Sequence, residues 1–149
     1  VLRYRTGARC DLDWSSSGLS ARYGPSDKPA WKIRGRLEGL LCRSLAGLAY
    51  LEGGRKTDWF SAYLRGTIFI ADNWDDRIYS YEQDAPGNFT VPAYYGRGWS
   101  LSAVSGCKLR LGRGRALKLY FRASTMAYSF MKEPKPSVSE AKAQAVVMF

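Results

Sequence analysis

The sequence predicts an all-β fold, an antiparallel transmembrane β-barrel, from three observations. Aromatic residues make up 14% of the 149 residues, and ten of them are Tyr, which favours strands. Apolar and polar residues alternate along most of the chain, which is the period of a β-strand. Many of the alternating runs are about twice as long as the five or six residues usual in soluble sheets, and they match the 9–11 residues of a transmembrane strand.

The alternation predicts about eight to ten strands, and counting them in chain order gives nine. Successive side chains of a strand point to opposite faces, so each predicted strand has an apolar and a polar face. Leu2, Cys10 and Trp14, for example, fall on the uncharged side of the first run. The nine predicted strands are 2–14, 19–23, 31–41, 46–52, 60–70, 77–84, 99–111, 117–123 and 141–149.

The apolar face can contact either lipid or a protein core, and the periodicity alone leaves both open. A lipid-facing barrel is expected to have apolar residues outside, polar residues inside and aromatic residues near both strand ends. Trp31, Trp59, Trp99 and Phe149 lie at or near predicted strand ends. A final apolar strand that ends in Phe is typical of proteins of the bacterial outer membrane. A soluble barrel or sandwich with an apolar core remains the alternative.

The predicted polar face is strongly basic. The chain has 23 Lys and Arg against 13 Asp and Glu, a net charge of +10. In a barrel these cations would line the lumen, where they would attract an anionic solute, an acidic plug or a partner chain. The alternative is that carboxylates on strands outside these 149 residues, or on a plug, neutralise them. The predicted lumen-facing basic residues are Arg3, Arg5, Arg9, Arg34, Arg36, Arg65, Lys108, Arg110, Lys118 and Arg122.

The composition argues against an enzyme. The chain has no His, so imidazole bases and Cys-His or Ser-His-Asp systems are excluded. Cys10, Cys42 and Cys107 are far apart and form no metal-binding or redox motif. The acidic turn at 72–76 lacks the residue spacing of a calcium-binding loop. Asp is also common in turns, where it forms local hydrogen bonds, so a turn explains these residues without a metal. We therefore expect no catalytic residue, no metal and no cofactor.

Loop lengths predict which strand ends lie outside the cell. Short links such as 112–115 alternate with longer, Pro-containing ones such as 84–97 and 131–139, and outer-membrane barrels have short periplasmic turns and long external loops. This places the C-terminus in the periplasm and, with nine strands, the N-terminus outside. Because bacterial single-chain barrels have an even strand number, we expect residues 1–149 to be one barrel domain or the C-terminal part of a larger barrel.

One predicted loop offers contact residues at the surface. Tyr94, Tyr95 and Arg97 lie in the long link before the seventh predicted strand. Aromatic residues and Arg are common at the centres of protein interfaces. We therefore interpret these three residues as a surface recognition loop, with a loop folded back to plug the barrel as the alternative.

Three tracts in the second half of the chain carry a family resemblance. Residues 75–82 are DDRIYSYE, residues 89–98 are FTVPAYYGRG, and the last residues, 142–149, are KAQAVVMF. Together they resemble the C-terminal β-barrel region of outer-membrane proteins that carry N-terminal helix-hairpin-helix repeats. The resemblance implies a β-barrel in the bacterial outer membrane. The 149 residues include no such repeat, so the resemblance implies no nucleic-acid role.

These observations predict a non-enzymatic bacterial outer-membrane β-barrel protein that acts as a scaffold, a pore or a subunit of an envelope complex. Its expected partners are outer-membrane lipid, other envelope protein chains or a plug, and an anionic solute. The alternative is a soluble basic β-barrel that binds nucleic acid or another polyanion. Dependence of folding on detergent separates the two hypotheses.

Overall fold

The fold is known from a computed structural model that describes residues 6–15, 30–41, 44–112, 115–130 and 135–148. Most of these residues form strands, as the alternation predicts. One 3-10 turn, Trp74–Asp76, follows the fourth strand. Across the described ranges no helix is long and apolar enough to cross a membrane. The strands are β1 (Thr6–Ser15), β2 (Ala30–Leu41), β3 (Leu45–Lys56), β4 (Phe60–Ala71), β5 (Ile78–Tyr79), β6 (Ala93–Tyr94), β7 (Gly96–Gly112), β8 (Arg115–Tyr128) and β9 (Lys135–Met148).

Seven long strands form one antiparallel sheet in the order β1-β2-β3-β4-β7-β8-β9. Their lengths run from 10 residues in β1 to 17 in β7, well above the usual length of soluble strands. The predicted antiparallel all-β fold is thereby confirmed. Over the described residues the sheet is open, with β1 and β9 as its outer strands.

The predicted strand 77–84 is wrong, because this stretch lies over the sheet and not in it. Only Ile78–Tyr79 is a strand; it pairs with Ala93–Tyr94, and Glu82 forms a single bridge to Thr90. The alternation is real but has another cause: Ile78 and Glu82 are buried against the sheet while Tyr79 is exposed. The predicted strand 19–23 lies outside the described residues. We call residues 72–95, which connect β4 to β7, the covering segment.

The covering segment makes the two ends of the sheet different. It leaves β4 at Ala71 and enters β7 at Gly96, and we call this the covered end of the sheet. At the opposite end, β3 ends at Lys56 and Gly112 is paired with Arg115 across the turn between β7 and β8. We call that the open end. The predicted short link 72–76 is therefore the first part of a much longer connection.

The two faces of the sheet are inverted relative to a soluble sheet. Residues paired directly across strands share a face, so the register places the large apolar side chains on one side and most charged ones on the other. The apolar face is exposed: Leu37 is 64% exposed and Leu64 is 54% exposed. The exposed residues of this face include Leu12, Trp31, Leu37, Leu51, Leu64, Ile68, Leu101, Leu109, Leu119, Phe121 and Val147.

A small apolar core lies between the covering segment and the polar face, near the covered end. Phe69 on β4 packs against Tyr94 of the segment, with ring centroids 5.1 Å apart, and against Tyr128 on β8 at 6.1 Å. Ile78 and Leu48 complete its centre. Burial of these rings gives the segment the hydrophobic contact that holds it on an otherwise polar surface.

Candidate functional site

The polar face falls into two parts that differ in what lies on them. The covered half is the part beneath residues 72–95. The open half extends from there to the open end and carries Lys32, Lys56, Lys108, Arg110 and Lys118. We treat the whole polar face as the candidate functional site, because it carries most of the charged side chains in the described part of the chain.

In the covered half, a buried ion pair joins neighbouring strands. Arg65 on β4 and Glu52 on β3 are directly paired in the register, and Arg65 Nε lies 3.2 Å from Glu52 Oε2. The Arg65 guanidinium also lies over the Tyr50 ring, 3.7 Å from its centroid, and donates from Nη1 to the Tyr81 carbonyl oxygen at 2.6 Å. Gln83 Nε2 donates to Glu52 Oε1 at 3.2 Å. The strand pair and the covering segment are thus joined through one charge pair.

A second buried charge group centres on Glu82 of the covering segment. Arg122 on β8 donates from Nη2 to Glu82 Oε2 at 2.5 Å, and the Tyr94 hydroxyl donates to Glu82 Oε1. Arg122 also donates from Nη1 to Glu140 on β9 at 3.2 Å. Burial, together with the neighbouring Glu82 carboxylate, raises the pKa of Tyr94 far above its usual range. Tyr94 therefore stays a neutral hydrogen-bond donor to a carboxylate.

Asp76 anchors the beginning of the covering segment to the link before β3. Its carboxylate is fully buried and accepts hydrogen bonds from the Ser44 hydroxyl at 2.6 Å and the Ser44 backbone N–H at 3.2 Å. Asn73 Nδ2 donates to the same oxygen at 3.2 Å. Only the hydrogen bond from Asn73 is the local turn contact that the sequence predicts, whereas the two from Ser44 join residues 32 positions apart.

Asp84 anchors the far side of the segment. It accepts from the Thr90 hydroxyl at 2.5 Å and from the Ala85 N–H at 2.7 Å, and Lys142 Nζ on β9 lies 4.0 Å away. Burial opposes ionisation of Asp84, but these donors and the nearby cations outweigh it and lower its pKa. The segment is thus tied to the sheet from the link before β3 across to β9.

Two tyrosines cover glycines on the polar face toward the open end. Tyr63 lies across from Gly54, and a Cβ at Gly54 would fall 2.1 Å from Tyr63 Cδ1. Tyr120 lies across from Gly106 in the same way, with 2.9 Å to its Cδ1. Glycine is required at Gly54, because a Cβ there would also lie 2.6 Å from the Ala62 backbone carbonyl oxygen; at Gly106 the near atoms belong to the side chains of Tyr120 and Ser61.

In the open half the cations have no carboxylate partner among the described side chains. Lys108 and Lys118 are directly opposite each other on β7 and β8, a like-charge pair that destabilises a sheet. Arg110 lies two residues along β7 from Lys108, on the same face. Lys32 and Lys56 extend the patch onto β2 and β3. The open half is a positively charged surface left uncompensated by the described residues.

The predicted basic residues separate into these two environments. Most are paired with carboxylates: Arg9 with Glu38, Arg36 with Asp11, Arg34 and Arg65 with Glu52, and Arg122 with Glu82 and Glu140. Lys108, Arg110 and Lys118 form the open half. Arg3 and Arg5 lie outside the described residues. The structure thus brings the described members of the predicted set onto one face and pairs most of them with carboxylates. The pairs of Arg9 and Arg36 on β1 and β2 are exposed, whereas those of Arg65 and Arg122 are buried beneath the covering segment.

The predicted surface loop of Tyr94, Tyr95 and Arg97 is wrong for Tyr94, which is 0% exposed. The apolar ring and the hydroxyl of Tyr94 are both satisfied inside, against Phe69 and Glu82. Tyr95 is half-buried between Trp74 and Tyr128, with ring centroids at 4.7 and 5.9 Å. Arg97 is exposed but belongs to β7, where it forms two hydrogen bonds to Asp72 at 2.5 and 2.7 Å. This contact lowers the pKa of Asp72.

Glu52 and Glu82, the two carboxylates of the buried charge groups, are absent from the polar face that the sequence predicts. Glu52 ends a predicted strand and Glu82 falls in a predicted strand that lies over the sheet, so neither was assigned to the polar face. For Glu52 the signal was present, because the alternation of Leu48, Tyr50 and Glu52 places all three on one side. For Glu82 no such signal exists, because the alternation of residues 77–84 is the same for a strand of the sheet and for a segment that lies over the sheet.

Neither the described side chains nor comparisons with known proteins identify a ligand or a family for this site. No group of three or more His, Cys, Asp or Glu side chains that could hold a metal ion occurs in the described part of the chain. No family model, no curated protein and no solved structure matches the chain. The resemblance to outer-membrane proteins with helix-hairpin-helix repeats therefore stays a prediction.

Proposed function

We propose that the chain is the wall of a bacterial outer-membrane β-barrel whose lumen is plugged at one end by residues 72–95, and that it acts as a non-enzymatic scaffold or subunit of an envelope complex. The observation that carries the proposal is the inversion of the sheet: Leu64 is 54% exposed, whereas Arg65 beside it is 4% exposed. Lipid on the apolar side would give the exposed leucines the contact that water cannot.

The strand geometry supports the same proposal. Strands of 10 to 17 residues are long enough to cross a bilayer at the usual tilt. The exposed apolar face carries Trp31 and Phe60 near the open end and Trp99 near the covered end, where interfacial aromatic residues are expected. Because lipid does not tolerate unpaired strand edges, the proposal requires that β1 and β9 pair with further strands, which closes the barrel.

A scaffold role follows from the chemistry of the covered half. Its charged side chains are engaged in ion pairs and hydrogen bonds that hold the covering segment, and the chain has no His to act as a base. The covering segment would close the barrel at the end that the loop pattern assigns to the outside of the cell. The alternative, a soluble protein that binds a polyanion, is favoured only by the positive charge of the open half.

The test compares two exposed apolar residues changed to Arg. Leu64 lies in the middle of β4, while Phe130 lies beyond the end of β8 and is 59% exposed. In phosphatidylcholine vesicles Leu64→Arg should lower the free energy of unfolding by about 2–4 kcal/mol, and Phe130→Arg by about 0–1 kcal/mol. Folding of the parent chain in plain buffer, with both variants equally tolerated, would contradict the proposal.

A further inference from the structure

The open half combines positive charge with the absence of described counter-charges. Lys108 and Lys118 face each other across β7 and β8, and Arg110 follows two residues along β7. Each like-charge contact costs free energy in the isolated sheet. An occupant that brings negative charge would remove that cost.

The covered half shows how this face accepts such an occupant. There, a stretch of polypeptide lies across the strands and places Glu82 2.5 Å from Arg122 and Asp84 4.0 Å from Lys142. Carboxylates on a peptide segment thus already neutralise cations of this surface. The open half lies on the same strands and carries mostly Lys where the covered half has Arg65 and Arg122, and no segment lies over it among the described residues.

The chain itself has few carboxylates left to serve the open half. It carries 23 basic against 13 acidic residues. On the polar face and covering segment, Glu38, Glu52, Glu82, Asp84 and Glu140 already contact cations elsewhere. Among the residues whose side chains are described, Asp58 in the link after β3 is the remaining carboxylate at the open end, so the described residues leave an excess of positive charge there for another molecule to neutralise.

We propose that the open half is a docking surface for an acidic segment of a partner polypeptide. Lys108 and Arg110 have the spacing of alternate residues on a strand, which matches alternate side chains of an extended peptide. Most of the patch is Lys, a hydrated point charge, and Lys142 in the covered half already lies 4.0 Å from a carboxylate of a peptide segment, that of Asp84.

The inference goes beyond the proposed barrel and does not depend on it. The open half carries its charge whether the apolar face meets lipid, detergent or a second protein. Lipid-dependent folding and peptide binding are separate measurements, so either can fail without the other.

The experiment uses the full chain in micelles of an uncharged detergent and a fluorescent peptide of alternating Glu and Ser. Anisotropy should report saturable binding that weakens with salt. The double substitution Lys108→Met and Lys118→Met should weaken binding about tenfold. Lys135→Met removes one positive charge at the covered end and should leave binding unchanged. Arg110→Gln, near the turn, is the second variant if the double variant does not fold by circular dichroism.

Three outcomes would overturn the docking surface. The first is equal binding of a Gln–Ser peptide, which would show that carboxylates are not recognised. The second is an equal loss with Lys135→Met, which would show that only net charge matters. The third is tighter binding of a single-stranded DNA oligonucleotide with the same dependence on Lys108 and Lys118, which would reassign the surface to a polyphosphate.

Discussion

The covered and open halves of the polar face use the same strands but treat positive charge in opposite ways. Arg65 and Arg122 are 4% and 3% exposed, and each meets a carboxylate. Lys108 and Lys118 face one another without a described counter-charge. A buried charge must be paired, whereas a charge in water need not be. The covering segment, and not the sheet, therefore decides where this face can bury charge.

The largest effect should come from removing a cation of the covered half. Arg122→Met leaves the Glu82 carboxylate buried with only the Tyr94 hydroxyl, and we expect a loss of about 3–5 kcal/mol in the free energy of unfolding. Urea unfolding of the detergent-solubilised protein measures it. The double variant Arg122→Met with Glu82→Gln should recover part of the loss. A loss below about 1 kcal/mol for the single variant is the value expected of a solvent-exposed ion pair, and it would show that Arg122 and Glu82 are not buried.

A smaller effect should follow from cutting the anchor of the covering segment. Asp76→Ala removes the acceptor for Ser44 and Asn73, and we expect a cost of about 1–3 kcal/mol. The loss should be local, so trypsin should cleave faster after Arg77. Asp58→Ala, an exposed carboxylate at the open end, is the control. Equal cleavage rates in the two variants would show that Asp76 does not hold the segment.

Acid should loosen the same segment through Asp84. Its folded pKa lies below the ordinary value of 3.8, so its contribution to stability is complete above that value and is lost as pH falls through the lower folded pKa. Hydrogen exchange of residues 82–90 should therefore accelerate below pH 3.8. Asp84→Asn should remove that part of the pH dependence. An unchanged pH profile in this variant would exclude Asp84 as the acid-sensitive group.

The smallest effect, with the opposite sign, belongs to the open half. Lys118→Met removes the repulsion with Lys108, and we expect a gain of about 0.2–1 kcal/mol. The gain should shrink as salt is added, because exposed charges are screened. Lys118→Arg, which keeps the positive charge, serves as the control and should show no such gain. A clear destabilisation by Lys118→Met would show that Lys118 has a favourable partner, and it would contradict the description of the open half as uncompensated.

The long strands could be predicted from the sequence because their signal is local. The alternation from Phe60 to Ile70 is enough to place Leu64 and Arg65 on opposite faces, and the register confirms it. Aromatic residues at strand ends, such as Trp31, follow from the same pattern. These features depend on the two-residue period of a strand and on little else.

A folded-back link before β7 is one of the two alternatives that the sequence leaves open, but the contacts of the covering segment could not be predicted, because they depend on distant residues. Its stretch 77–84 alternates like a strand, but Ile78 and Glu82 are buried by β4 and β8 and not by a neighbouring strand pair. Tyr94 looks like a loop residue until Phe69 and Glu82 are placed around it. Such pairings join residues 12 to 40 positions apart, and no local period encodes them.

The most direct test of the inverted sheet is the water accessibility of its two faces. In a chain whose native cysteines are replaced by Ser, Leu64→Cys and Lys118→Cys each place one thiol, on the apolar face and in the open half. With the protein in lipid vesicles, a charged, water-soluble maleimide should label Lys118→Cys rapidly and leave Leu64→Cys largely unlabelled. Equal labelling of the two thiols would show that the apolar face meets water and would contradict the account.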